Sequence, residues 1–112
     1  MQFDNTRIYA RSMELIELTN RVLRKLPPGY GFLADQLRRA ASSVPLNFAE
    51  GYGRVTAREQ RRHFIIARGS ASEVAAIFDV AKGFAIIDED DHEHGRDICD
   101  HLVRMLTKFR RA

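Results

Sequence analysis

The chain has 112 residues, 45% hydrophobic and 29% charged, enough for one domain with a core and too few for a two-domain enzyme. Eighteen Lys and Arg against fifteen Asp and Glu leave a net charge of +3, and the single cysteine excludes an intrachain disulfide framework. The longest uncharged run, Ala40 to Ala49, is about half of what a membrane span requires, and the N-terminal residues lack the basic and apolar segments of a signal peptide, so a soluble cytoplasmic protein with no membrane partner is expected.

Apolar spacing and breakers predict four helices within a single domain over residues 1–112. The first runs from about Thr6 to Leu26 and stops at Pro27-Pro28-Gly29. Ile8, Leu15, Val22 and Leu26 mark one stripe with Ser12 and Thr19 in its gaps, and Tyr9, Met13, Ile16 and Leu23 mark a second beside it. The second helix runs from about Gly31 to Gly51, with Leu33, Leu37, Ala40, Ala41, Val44 and Phe48 in helical period. Pro45 lies inside that pattern, which resumes at Phe48, so a kink is expected there and not an end. Thr56 and Glu59 have the spacing of a capping box, and Phe64, Ala67, Ala71, Val74, Phe78 and Ala81 then alternate steps of three and four to about Ala85. Gly69 falls in the middle of this third helix, where close approach of a neighbouring helix is expected to offset its poor helix propensity. The acidic stretch from Asp88 to Gly95 reads as partly loop, followed by a fourth helix carrying Ile98, Leu102, Met105, Leu106 and Phe109. No strand or internal repeat is evident. The fold class expected is therefore all-α, an antiparallel up-down four-helix bundle.

Charge divides the chain. Residues up to Ser70 hold twelve basic and six acidic side chains, whereas the remainder holds six basic and nine acidic. Such asymmetry can steer a polyanion to one surface, or let two halves attract each other within an assembly.

The central segment carries a specific combination of motifs: Gln36-Leu-Arg-Arg-Ala40, Val44-Pro45, Asn47-Phe-Ala-Glu-Gly51, Gly53-Arg54, and Ala67-Arg-Gly-Ser70 with Glu73. Over roughly Leu33 to Phe84 it resembles the four-helix-bundle protein family first described from intervening sequences of bacterial 23S ribosomal RNA. The resemblance implies an up-down bundle assembling into a ring-like homopentamer. It is also similar to the accessory protein of diversity-generating retroelements, a basic pentamer that binds nucleic acid and a reverse transcriptase.

Two groups of side chains are candidates for sites. Ser43, Asn47 and Glu50 share a face of the second helix, and Arg68, Ser70 and Glu73 form a comparable polar group on the third; a structural interhelical network is expected. Arg54, Arg58, Arg61 and Arg62 gather about the start of the third helix, where guanidinium groups and the helix N-terminus suit phosphate contacts. Arg38 and Arg39 either join that surface or contribute one partner to Glu50, so Arg38 is counted with the nucleic-acid candidates and Arg39 with the network. Structured RNA or an RNA–DNA hybrid is the partner expected, acting through a non-enzymatic adaptor; a protein-binding scaffold is the alternative. An Arg-x4-His spacing occurs at Arg58–His63 and Arg96–His101, which a metal-independent ribonuclease would use, yet it is no more frequent than chance supplies. Asp90, His92 and His94 lack the spacing of calcium or zinc ligands, so no metal and no cofactor are expected.

Overall fold

The computed structural model describes residues 2–110. A short 3-10 turn at Phe3–Asn5 precedes four helices, α1 (Arg7–Lys25), α2 (Gly31–Tyr52), α3 (Ala57–Gly83) and α4 (Glu89–Lys108). Three of their starts have a local chemical cause. Thr6 Oγ1 accepts the Tyr9 N–H at 3.1 Å, Thr56 Oγ1 accepts the Glu59 N–H at 3.2 Å, and Asp88 Oδ1 accepts the Asp91 N–H at 2.8 Å. The α1 helix ends before the two prolines, as expected. The α2 helix continues through Pro45, whose ring is buried.

Each helix packs against its neighbours in the chain, and α1 closes the square against α4, so that α1/α3 and α2/α4 lie on the diagonals. The bundle measures 44 × 22 × 21 Å, set by α3, whose 27 residues span about 40 Å at the helical rise. Leu15, Val44, Phe48, Val74, Phe78, Ile98 and Leu102 form the fully enclosed part of the core. At one end Phe48, Tyr52, Phe64 and Phe109 interlock, with the Phe48–Phe109 and Phe64–Phe109 rings edge-to-face at 5.2 Å. The first apolar stripe of α1 is buried, and Ser12 in its gap donates to the Tyr9 carbonyl at 2.8 Å. The second stripe is only half-buried, and Met13 is exposed.

Two expectations need correction. The acidic stretch is not a loop: it forms the first two turns of α4. Asp88 caps it, and Glu89, Asp90 and Asp91 lie where the helix dipole favours negative charge. Asp91 and Gly95 continue the buried stripe of Ile98 and Leu102, seven and three residues before Ile98, but neither is apolar, so hydrophobic spacing does not reveal them. Gly69, in turn, is exposed, and a methyl group there would meet nothing within 4 Å. The close approaches occur elsewhere. At Gly95 a Cβ would overlap the Phe78 ring, and at Gly51 it would lie 2.8 Å from Phe64 Cε1.

The α3–α4 turn is closed by the Ile86 N–H donating to the Ala81 carbonyl at 3.0 Å and the Ala85 N–H donating to that of Lys82 at 2.9 Å. This places Ala85 in the left-handed region, at φ 60°, the position that helix C-termini normally give to glycine. Ala85→Gly is therefore expected to stabilise the fold by about 1 kcal/mol, read as a higher melting temperature with unchanged helical circular dichroism.

An ion cluster ties α1 to the start of α4. Asp91 is buried and meets Arg21 at 2.8 Å and Lys25 at 2.7 Å, and Lys25 also reaches Asp88 at 3.0 Å. Burial by itself would raise the Asp91 carboxyl, but the bonds from Lys25 and Arg21 outweigh it and hold the group below 3.8. Asp88 is lowered by the Asp91 N–H and by Lys25, and Asp79 by His92 and Arg96. Carboxylates depressed in this way stabilise the fold above their unfolded value, and that contribution disappears as pH falls through the folded value. Protonation of these carboxylates should thus lower the melting temperature as pH falls below about 4. Asp91→Asn should flatten this acid limb; an unchanged limb would show that the cluster has no part in it.

Candidate nucleic-acid interface

The α2–α3 turn and the first turns of α3 bring four arginines to one end of the bundle. Arg58, Arg61 and Arg62 are all exposed on α3, and among the described residues none of the three has an acidic partner. Arg54, on the turn, is differently placed. It is paired with Glu50 at 2.5 Å, and its carbonyl accepts from Gln60 Nε2 at 2.8 Å, which fastens the turn to α3. Glu50 thus belongs to the margin of this surface and not to the interhelical network.

Arg38 does not join the cluster. It lies near the opposite end of α2, about 21 Å along the helix from Tyr52, and is paired with Asp35 at 3.3 Å. Arg39 is exposed beside it, and among the described residues no carboxylate is bonded to it. The geometry therefore narrows the candidate phosphate contacts from Arg38, Arg54, Arg58, Arg61 and Arg62 to the three unpaired arginines of α3, with Arg54 restrained at their edge.

The polar network between α2 and α3 is also narrower than expected, and it contains one residue that the sequence reading placed elsewhere. Ser70 Oγ donates to Ser43 Oγ at 2.7 Å, and Asn47 Nδ2 donates to the same oxygen at 2.9 Å. Asn47 Oδ1 meets His63 Nδ1 at 3.1 Å, so a ladder Ser70–Ser43–Asn47–His63 joins the two helices. Arg68 leaves this group: its Nε donates to Thr107 Oγ1 on α4 at 2.7 Å. Glu73 is exposed, with no bonded partner among the described residues. The reason is angular. On α3, Ser70 turns toward α2, whereas Arg68, two residues earlier, lies on the side facing α4.

The two Arg-x4-His pairs are occupied separately. His63 bonds Asn47; Arg96 binds Asp79 at 2.6 Å; and His101 Nδ1 accepts from Arg11 Nε at 3.1 Å. His101 is held below its ordinary value by burial and then by the charges of Arg11, Arg104 and Arg7. Neither histidine is bonded to the arginine of its own pair. His92 is bonded to Asp79 at 2.7 Å, and among the described residues no three His, Cys, Asp or Glu side chains converge to hold a metal ion. Cys99 is buried, its thiol pushed up to about 12 by burial and by Asp100. No helix among the described residues is long and apolar enough to cross a membrane.

The class of protein is thus an all-α, four-helix fold with an arginine surface at one end and a hydrogen-bonded seam between α2 and α3. Residues 4–108 match the model of the 23S rRNA-intervening sequence protein family, and the chain belongs to that family. No curated protein matches the chain.

Proposed function

We propose that this protein is a non-enzymatic, oligomeric nucleic-acid-binding or adaptor module, with structured RNA or an RNA–DNA hybrid as its partner. The observation that carries the reading is the set of three exposed arginines, Arg58, Arg61 and Arg62, at the start of α3, without acidic partners among the described residues. Arg21 is engaged by Asp91 and Arg96 by Asp79, whereas Arg58, Arg61 and Arg62 are both unpaired among the described residues and gathered within two turns of one helix. Guanidinium groups with free donor edges gain by meeting phosphate, and the N-terminal end of a helix adds a favourable potential.

Three phosphate contacts in one protomer give weak binding, so repetition is part of the proposal. Leu46 on α2, with Ile66 and Val80 on α3, presents exposed apolar surface away from the core, and a ring of identical subunits, five by resemblance to the family, would cover it and align several arginine surfaces. Sedimentation should then give a species well above the 12.8 kDa protomer.

The test is a titration of the protein into a fluorescent structured RNA, followed by anisotropy at several salt concentrations, with the RNA run on a denaturing gel afterwards. Binding that weakens steeply with salt and leaves the RNA intact is the expected result. Absence of binding at low salt would overturn the reading in favour of a protein-binding scaffold, and cleaved RNA would overturn its non-enzymatic part.

A further inference from the structure

A groove between α3 and α4 opens beside the arginine surface, with a cavity volume of about 520 Å³, within the range of small-ligand sites. Its floor is apolar, formed by Phe64, Leu106 and Phe109, and Ile65, which is 54% exposed, forms part of its wall. Arg61, Arg68 and Arg110 surround it, and among the described residues no acidic one lines it. Arg68 is held at the rim by Thr107, and Phe109 is braced edge-to-face against Phe48 and Phe64, so the aromatic floor and a cationic edge are both positioned in advance. Arg61 belongs at once to the groove and to the phosphate surface, so the two are continuous.

From this juxtaposition we infer that the groove receives one unpaired base of a nucleic-acid strand, whose flanking phosphates lie on Arg58, Arg61 and Arg62. The inference rests on the nucleic-acid reading above and adds the part of the ligand recognised. A nucleobase offers a planar π-face and is flanked along the strand by anionic phosphates, which matches an apolar, aromatic floor rimmed by guanidinium groups, and arginine also stacks on such faces. A duplex presents phosphates but keeps its bases stacked, so the groove makes the protein prefer loops, bulges and single strands.

The experiment compares two labelled 12-nucleotide single strands with identical phosphates, one of mixed sequence and one abasic throughout. Wild-type protein is expected to bind the strand with bases about tenfold more tightly. Ile65→Ser, at an exposed position that leaves the core intact, should reduce that ratio to below threefold, with an unchanged melting temperature showing that the fold is preserved. Arg68→Gln serves as a second variant with the same expectation. Equal wild-type affinity for the two strands, still steeply salt-dependent, would overturn the groove inference and leave the phosphate surface standing. No binding of either strand at low salt would overturn both.

Discussion

Gly95→Ala is expected to produce the largest loss of stability of any single methyl addition in this chain. Gly95 faces the core from the second turn of α4, and an added Cβ would occupy space already taken by the ring of Phe78, which is itself fully buried. The ring is enclosed by the packed core and has no solvent to turn into, so relief requires α4 to move away from α3 along their contact. Overpacking of this kind costs about 3 kcal/mol or more, enough to remove much of the stability of a domain this size. Thermal melts should show a large fall or no cooperative transition at all. Phe78→Leu should lessen the penalty of Gly95→Ala in a double-mutant cycle, because the smaller side chain frees the space. Gly69→Ala is the contrasting case. It lies in the middle of α3, and a methyl group there meets nothing within 4 Å, so greater helix propensity should stabilise the protomer by about 1 kcal/mol. Equal effects of the two substitutions would contradict the packing described.

Charge reversal of the α3 arginines is expected to have the largest functional effect. Arg58→Glu/Arg61→Glu/Arg62→Glu changes six units of charge at one end of each protomer while touching no residue of the enclosed core. Each arginine that neutralises a phosphate contributes to the release of counterions, so the slope of log affinity against log salt should fall by about 2 to 3 for every protomer in contact. Affinity for structured RNA should drop more than about 100-fold at low salt, with helical content and melting temperature little changed. Arg38→Glu is the matched control, because that residue is paired with Asp35 at the opposite end of the bundle; its effect should be less than about threefold. If Arg38→Glu weakened binding as much as the triple variant, the interface would lie along the bundle and not at its end.

Much of this molecule is legible in the order of its residues. The start of α1 near Thr6, the cap at Thr56, the stop at Pro27-Pro28, and the apolar period of α2 and α3 are local signals, each decided within a turn or two of helix. Ser43, Asn47 and Ser70 were legible as a polar group for a related reason, since they occupy inward-tilted positions on helices already recognisable as neighbours. His63 was not, because its partner Asn47 lies across the α2–α3 turn and its own spacing to Arg58 pointed toward different chemistry. Arg68 is close to Ser70 in sequence, yet at about 100° per residue it lies about 200° round the helix and faces α4, whereas Glu73, one turn beyond Ser70, is exposed. The start of α4 was missed because its core-facing residues are an aspartate and a glycine. Burial of Asp91 is offset by Arg21 and Lys25, some 70 residues away, and that of Gly95 by an aromatic ring from another helix.

The sequence by itself determined four amphipathic helices, the first two turns between them, the absence of a disulfide framework and the excess of arginine in the first two thirds of the chain. These follow from backbone propensity, capping and hydrophobic period, which act over a few residues. Only the tertiary structure decided that Arg21 and Arg96 are neutralised from other helices, where glycine is required and where it is incidental, and that Phe64, Phe109, Arg61, Arg68 and Arg110 surround one groove. Those outcomes depend on distances between side chains on different helices, and such contacts leave no periodic trace in either segment.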